Sequence, residues 1–111
     1  MGDSTVKHIT VTVNASTGVP VCTPDPLTVK APNSLLVFKL ETDGYVFRDP
    51  GAIVVSSPGD DFPYASWTIS GTSAALYDEN NDDLSYNYTV YLTKLGTGEV
   101  VSVDPTIKNG Q

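Results

Sequence analysis

The sequence has 111 residues, of which 13 are acidic and six are basic, so the formal net charge is −7 and the pI is about 4.2. Apolar residues make up 40% and charged residues 17%, a composition that predicts one globular domain over residues 1–111. The basic residues are scattered singly, so the chain has no cationic patch to bind nucleic acid or an anionic membrane surface. We therefore expect neither kind of partner.

Apolar and polar residues alternate with a period of two in three long segments, residues 6–13, 34–41 and 86–92. This period is typical of half-buried β-strands. Residues 34–41 are apolar on much of both faces, which predicts a central strand. Side chains of equal parity share one face of a strand, so one face of each strand should form a common core. The predicted core residues are Ile9, Val11, Val13, Leu36, Phe38, Leu40, Trp67, Ile69, Leu76, Tyr88, Val90 and Leu92.

Shorter segments that favour strands lie between and after the long ones. Glycines and prolines separate them, in runs such as STG, TPDP and SSPGDDFP that favour turns. No long window has the apolar stripe of an amphipathic helix. Many short strands with regular breaks predict an all-β protein, a β-sandwich or a barrel. The short segments are residues 19–22, 27–30, 45–47, 52–55, 67–71, 74–77 and 99–103.

The densest group of charged residues is the run DENNDD, residues 78–83. A calcium loop of the EF-hand type has oxygen ligands at positions 1, 3 and 5, glycine at 6 and glutamate at 12. Asp78, Asn80 and Asp82 fill the first three positions, but the sixth and twelfth residues are aspartate and threonine. The template fails, so we expect no bound metal. A looser calcium site on Asp78, Asn80 and Asp82 is the alternative.

The same run is typical of a connection between strands, because Asp and Asn tolerate left-handed backbone and bond their own main chain. In Greek-key sandwiches, a tyrosine near the start of a late strand often bonds back to the connection before it. We therefore expect residues 78–83 to cross into a long core strand. Leu84 would enter the core, Tyr86 and Tyr88 would face inward, and one of these tyrosines would form the corner.

Residues that could perform catalysis are few and isolated. His8 is the only histidine and falls on the polar face of its segment, whereas Cys22 follows an apolar segment and is expected to be a small buried residue. They do not form a nucleophile–base–orienter set or a zinc site. Asp60 and Asp61 could act as acid and base, but adjacent acids in a Pro/Gly loop are usually solvated. We expect no catalytic residue, no cofactor and no enzyme activity.

Three aromatic residues beside these acids, Phe62, Tyr64 and Trp67, are the candidates for ligand binding. Aromatic side chains near polar groups are typical of surfaces that bind carbohydrates or peptides. The competing structural interpretation buries Trp67 at the start of a strand and uses Phe62 and Pro63 to close one end of the fold. The predicted core, which contains Trp67, follows this second interpretation.

Cysteine usage and hydropathy predict the compartment. Cys22 is the only cysteine, so the chain cannot form an internal disulfide, as is typical of a reducing compartment. The first residues show no basic region followed by a long apolar run, and no segment approaches the roughly 18 apolar residues of a membrane span. We expect a soluble, cytoplasmic protein.

The closing segment YNYTVYLTKLGTGEVVSVDPTIKNG, residues 86–110, combines a tyrosine-rich strand, a glycine turn and the run VVSVDPTIKN. With VFRDPGAIVV, residues 46–55, it resembles the DP-EP family of small uncharacterised bacterial proteins. The resemblance implies a single Greek-key β-sandwich of immunoglobulin-like or cupredoxin-like shape, with no known activity or binding residues. Blue-copper sandwiches use two His, a Cys and usually a Met. Only His8, Cys22 and Met1 are present, so we expect no copper.

Two kinds of function fit these features. The first is a non-catalytic structural or protein-interaction module, which binds a protein partner or a second copy of itself. Residues 6–13 and 99–103 are expected near sheet edges, where unpaired backbone groups could join an edge-paired homodimer. The alternative is a carbohydrate- or calcium-dependent binding domain that uses the aromatic or the acidic candidates described above.

Overall fold

The computed structural model describes residues 5–59, 61–81 and 83–110. These residues form eleven β-strands, and the all-β prediction is confirmed. No helix among the described residues is long and apolar enough to cross a membrane. The strands are β1 (Thr5–Val13), β2 (Pro20–Thr23), β3 (Leu27–Val29), β4 (Ser34–Leu40), β5 (Tyr45–Phe47), β6 (Ile53–Val55), β7 (Trp67–Ser70), β8 (Ser73–Asp78), β9 (Ser85–Lys94), β10 (Val100–Val103) and β11 (Thr106–Asn109).

The strands form two sheets packed as a β-sandwich. Sheet I has five strands in the order β2-β1-β4-β8-β7. Sheet II has six strands arranged around β9. Val90 of β9 pairs with Ile53 of β6 on one side and with Val103 of β10 on the other, and Leu92 pairs in the same way with β5 and β10. β11 continues the β10 side of the sheet, and β3 pairs with β11 beyond it.

Both sheets contain one parallel pair, β1 with β4 in sheet I and β3 with β11 in sheet II. The other pairings of described strands are antiparallel. The chain passes from sheet I to sheet II between β2 and β3. Pro24 and Pro26 in this segment have no backbone N–H to donate to a neighbouring strand, so β2 cannot continue as a regularly paired strand.

The predicted location of the first strand at a sheet edge is wrong. Residues 10–13 of β1 pair with β2 and residues 5–11 pair with β4, so β1 lies inside sheet I. Its parallel partner is distant in the sequence, and the local pattern carries no signal of it. β10, the other predicted edge strand, pairs with β9 and with no other described strand, so that prediction is confirmed. The edge strands of sheet I are β2 and β7.

The core lies between the two sheets, and most of the predicted core residues are in it. The rings of Phe38 in sheet I and Tyr88 in sheet II meet edge to face, with their centroids 5.7 Å apart, an arrangement that aromatic pairs favour. The short strands add Leu27, Phe47 and Ile107 to this core. The predicted residues that are buried are Ile9, Val11, Val13, Leu36, Phe38, Leu40, Leu76, Tyr88, Val90 and Leu92.

Two predicted core residues lie outside it, because β7 faces the opposite way from the prediction. Trp67 and Ile69 are 45% and 60% exposed. Trp67 pairs with Ala75 of β8, whereas the neighbours of Ala75, namely Ala74 and Leu76, belong to the core. Since successive side chains of a strand point to opposite faces, Ala75 and Trp67 lie on the outer face. A register shift between Thr68 and Ser70 marks a bulge, at the position of Ile69.

Candidate functional site

The three aromatic candidates do not form one platform. Phe62 is buried, and its ring packs edge to face on Tyr86 with centroids 4.9 Å apart. The structural interpretation is therefore correct for Phe62, which belongs to the core, and wrong for Trp67. Tyr64 is 64% exposed. Of the three, Tyr64 and Trp67 remain available to a ligand.

A residue outside the predicted set, the half-buried Tyr77 of β8, lies beside the exposed Tyr64. Its ring centroid lies 6.0 Å from that of Tyr64. Tyr77 shares the outer face with Ala75, directly opposite Trp67, so Tyr77 and Trp67 are diagonal neighbours across two strands. Parity could have identified Tyr77, because Leu76 was placed in the core and the next residue must then face outward. We call Tyr64, Trp67, Ile69 and Tyr77 the aromatic surface.

Apolar side chains extend the aromatic surface across sheet I. Ala75 pairs with Val37 of β4 on one side and with Trp67 on the other, and Tyr77 pairs with Leu35. Leu35 and Val37 are half-buried, and Ala75 is completely buried although it lies on the outer face. Its small side chain is enclosed by the larger residues on both sides. The outer face therefore presents a continuous apolar region across β4, β8 and β7.

Polar groups border this region on one side. The Tyr77 hydroxyl donates a hydrogen bond to Oδ1 of Asn33. Burial of the phenol, followed by the nearby carboxylate of Glu79, raises the pKa of Tyr77 above its ordinary value, so the phenol is neutral at physiological pH and can donate. Asn33 has a left-handed backbone with φ of 53°, which holds its side chain at the start of β4.

Two grooves lie where the edge of sheet I meets the edge of sheet II, one beside the segment that leads into β7 and one beside β7 itself. One of about 300 Å³ is mainly apolar and is lined by Ile53, Val55, Phe62, Tyr64 and Leu76 among others. The second, of about 400 Å³, lies between β5 and β7 and has Ile69 in its wall. Two hydrogen bonds join the sheets here, from the backbone N–H of Phe47 to the Gly71 carbonyl at 2.8 Å and from that of Ile53 to Oγ of Ser66 at 3.1 Å.

The described part of the acidic run leads from β8 to β9, as predicted: β8 ends at Asp78, and residues 79–81 and 83 belong to the connection. Oδ1 of Asp78 accepts the backbone N–H of Asn80 at 2.9 Å, and Asn80 has a left-handed backbone with φ of 56°. Both features are those expected of Asp and Asn in turns. The side-chain amide of Asn80 donates to the carbonyls of Val29, Ala31 and Gly110 at 3.3, 3.1 and 2.8 Å. This side chain therefore ties the connection to the carboxyl ends of β3 and β11, which lie side by side in their parallel pair.

The prediction that the acids at 60 and 61 are solvated is wrong for Asp61, which is 1% exposed; Asp60 lies outside the described residues. Oδ1 of Asp61 accepts the backbone N–H of Asn81 at 2.9 Å, and its Oδ2 accepts Nδ2 of Asn109 at 2.8 Å. The same Nδ2 of Asn109 donates to Oδ1 of Asp78 at 3.0 Å. We call Asp61, Asp78, Asn80 and Asn109 the buried polar cluster.

The alternative calcium site can be compared with this geometry. Asp82 lies outside the described residues, and the side chains of Asp78 and Asn80 both bond groups of the fold. The Asn109 amide occupies the space between the carboxylates of Asp61 and Asp78 with a hydrogen-bond donor. Within residues 5–59, 61–81 and 83–110, no three His, Cys, Asp or Glu side chains are grouped closely enough to hold a metal.

The structure at the start of β9 agrees only in part with the prediction made from the sequence. Tyr86 and Tyr88 are buried as predicted, but Leu84 is 60% exposed and does not enter the core. The hydroxyl of Tyr88 lies beside the thiol of Cys22 and has no nitrogen or oxygen partner among the described residues, so Tyr88 does not form the predicted corner. The Tyr86 hydroxyl lies near Gly59.

The two isolated candidates for catalysis are separated by sheet I. Cys22 is buried as predicted, and burial, with a smaller contribution from Asp25, raises the pKa of its thiol to about 12. The thiol is therefore protonated at neutral pH, and a protonated thiol is a poor nucleophile. His8 is exposed on the outer face, beside Val37. Cys22 lies on the inner face opposite Val11, so the two side chains cannot act together.

No protein-family model matches the sequence, and no curated protein matches it.

Proposed function

We propose that this protein is a non-catalytic protein-interaction module that binds its partner through the aromatic surface on β7 and β8. The observation that carries the proposal is the exposure of Tyr64, Trp67 and Ile69 at the edge of sheet I, at 64, 45 and 60%. Exposed aromatic and aliphatic groups that cluster in this way are typical of the centre of a protein interface.

The edge strand below these side chains adds backbone groups to the surface. β7 is the last strand of sheet I, so one side of its backbone faces away from β8. Edge strands are usually protected against pairing with another chain by charged residues or proline. The sequence of β7, WTIS, contains neither, whereas β2 at the opposite edge begins at Pro20. A partner strand, including one from a second copy of this chain, could therefore add to sheet I at β7.

The fold supports a finer assignment within the same proposal. An immunoglobulin sandwich is built from two antiparallel sheets, whereas both sheets of this protein contain a parallel pair. This favours the cupredoxin-like alternative, without copper, and the DP-EP family is the proposed relative. The cytoplasm is the proposed compartment, because the only cysteine, Cys22, is a buried free thiol.

Site-specific photo-crosslinking in cells tests the proposed surface. A photoreactive phenylalanine analogue is placed at Ile69, on the aromatic surface, and in a matched control at Val21, which is 47% exposed on β2 at the opposite edge. We expect a discrete adduct from position 69 and none from position 21. The adduct mass then separates a second copy of the chain from another protein. Equal adducts at both positions, or none at position 69, would contradict the proposal.

The alternative function, carbohydrate binding, is favoured by one observation. Tyr77, whose ring is a neighbour of Tyr64, bonds Asn33 and lies near the carboxylate of Glu79, and sugars bind where aromatic faces meet such polar groups. Trp67 is the only tryptophan, so its fluorescence reports on this surface directly. A sugar that quenches or shifts Trp67 emission in the native protein, but does not do so in Tyr77→Ala, would support this alternative over a protein partner.

A further inference from the structure

The amide of Asn109 has an environment that fixes its orientation. Its Nδ2 donates one hydrogen to Oδ2 of Asp61 at 2.8 Å and the other to Oδ1 of Asp78 at 3.0 Å. All three side chains are buried, with exposures of 5, 1 and 0%. If the amide were turned over, its oxygen would face two carboxylate oxygens in a medium where water cannot screen them. The fold therefore requires a hydrogen-bond donor at residue 109, on the side that faces Asp61 and Asp78.

The residue after Asn109 is a glycine whose backbone is also held. The N–H of Gly110 donates to the carbonyl of Val29 at 2.8 Å, and the carbonyl of Gly110 accepts the side-chain amide of Asn80 at 2.8 Å. The bond to Val29 extends the parallel pairing of β11 with β3 by one residue beyond Asn109. In the closed strand, the Gly110 nitrogen and the Asn109 side chain are thus both fixed by other partners.

An asparagine followed by glycine is chemically labile once it is free. The Gly110 nitrogen, after losing its proton to a base, attacks Cγ of the Asn109 side chain, and the Cγ–Nδ2 bond breaks to release ammonia. The resulting succinimide ring adds one water molecule, which opens it to aspartate or isoaspartate. The net reaction consumes water, releases ammonia and requires no oxidant or reductant. A glycine favours it because no side chain hinders the attacking nitrogen.

We propose that Asn109–Gly110 is a modification site that is closed in the folded protein and becomes reactive when β11 separates from β3. Deamidation would then replace the shared donor by a third carboxylate facing Asp61 and Asp78. Two buried carboxylates would lose their common partner and meet a like charge, so β11 could not return to its place. One chemical step would in this way convert a reversible opening of the carboxyl-terminal strand into a permanent one.

The reactivity is tested by peptide mapping after incubation in mildly alkaline buffer, with the chain folded or held unfolded in urea. We expect Asn109 to convert at least about tenfold more slowly in the folded chain, because reaction needs the open form. Gly110→Ala is the matched control. Among the described residues, a Cβ at Gly110 would meet only the Val29 carbonyl oxygen, at 4.0 Å, so the fold accepts it, while the added methyl group should slow conversion of the unfolded chain. Equal conversion of Asn109 in folded and unfolded protein would overturn the proposal.

The consequence for the fold is tested with the reaction product, Asn109→Asp, compared with Asn109→Ala. Both variants lose the shared donor, but only the aspartate adds a charge. We expect Asn109→Asp to unfold at a clearly lower urea concentration than Asn109→Ala. The double variant Asp61→Asn/Asn109→Asp places an amide opposite a carboxylate again and should recover part of the loss. If Asn109→Asp is as stable as Asn109→Ala, or if the double variant recovers no stability, the proposal that deamidation makes the separation of β11 permanent is wrong.

Discussion

β9 and β7 have similar sequence patterns and opposite places in the molecule. In both strands apolar or aromatic residues alternate with polar ones, and the alternating residues of both were expected in the core. In β9 they are buried, including Tyr88, Val90 and Leu92, whereas in β7 Trp67 and Ile69 face solvent. Alternation therefore shows that a strand has two different faces, but it does not show which of them is covered.

The difference follows from the number of neighbours. β9 has ten residues and pairs with β5 and β6 on one side and with β10 and β11 on the other. Every inward side chain of β9 is thus flanked by side chains of adjacent strands. β7 has four residues, one partner and a bulge. Its apolar residues lie at a border where no further strand of the described residues pairs with β7, and this leaves Trp67 and Ile69 available for binding.

The largest expected effect is a loss of unfolding free energy, seen when one side chain is truncated in β9 and compared with a truncation in β7. Leu92→Ala in β9 removes a fully buried side chain and should cost about 2–5 kcal/mol of unfolding free energy, because it leaves a cavity. Ile69→Ala in β7 should stay within about 0.5 kcal/mol of the native protein, as is usual for exposed positions. Urea denaturation of the two variants measures both values.

The double variant Leu92→Ala/Ile69→Ala serves as a check, since distant sites should contribute additively. A cost of more than about 1.5 kcal/mol for Ile69→Ala would show that β7 is part of the core, and the proposed binding surface would then be wrong.

The second prediction concerns the connection that leads into β9. Asn80 and Asn33 both have left-handed backbone, with φ of 56° and 53°, so glycine fits either position without strain. Asn80→Gly removes a buried amide that serves three carbonyls and should cost about 1–3 kcal/mol. Asn33→Gly removes one exposed acceptor and should cost about 0.5 kcal/mol or less. Equal losses in the two variants would show that the conformation of the turn matters and the hydrogen bonds do not.

Much of the fold is predictable because it depends on local pattern. The parity of Phe38, Leu76 and Tyr88 follows from their own segments, and all three are in the core. The interior place of β1 is not predictable in this way, since its parallel partner β4 lies more than twenty residues further along the chain. Pairing of this kind depends on the whole topology.

The candidate site was predictable to a smaller extent for the same reason. Tyr64 and Trp67 were identified by residue type, and Tyr77 could have been identified by parity. The burial of Asp61 could not, because its partner Asn109 is 48 residues away in the sequence. An acid in a Pro/Gly loop is ordinarily solvated, and here two distant donors, the Asn109 amide and the backbone N–H of Asn81, satisfy the buried carboxylate.

The third prediction concerns the stability of the protein at alkaline pH, where the buried thiol of Cys22 beside Tyr88 of β9 ionises. The pKa of the Cys22 thiol, next to Tyr88, is raised by burial from 9.0 to about 12 in the folded protein. Below about pH 9 the thiol is protonated in both states and its contribution to stability is fully present. Between pH 9 and about 12 the unfolded chain ionises first, so the unfolding free energy should fall as pH rises. Burial also raises the pKa of Tyr88, which acts in the same direction.

Urea midpoints at about pH 8 and about pH 10.5 measure this fall. Cys22→Ala should show a smaller fall than the native protein, because its unfolded state has one ionising group fewer. As a control, Thr23→Ala changes an exposed neighbour and should leave the pH dependence unchanged. An identical fall in the native protein and Cys22→Ala would show that other groups cause the alkaline loss.

The last prediction is that calcium has no effect on stability through the connection between β8 and β9. Oδ1 of Asp78 accepts two hydrogen bonds within the fold, and the sequence lacks the late glutamate of an EF-hand loop. Millimolar calcium or EDTA should therefore leave the melting temperature unchanged. A site filled at 100 times its Kd would add about 2.7 kcal/mol, which thermal unfolding would detect. If calcium raises the melting temperature and Asp78→Asn abolishes the rise, the connection is a metal site, and the alternative of a calcium-dependent binding domain replaces the view that these acids only lead the chain into β9.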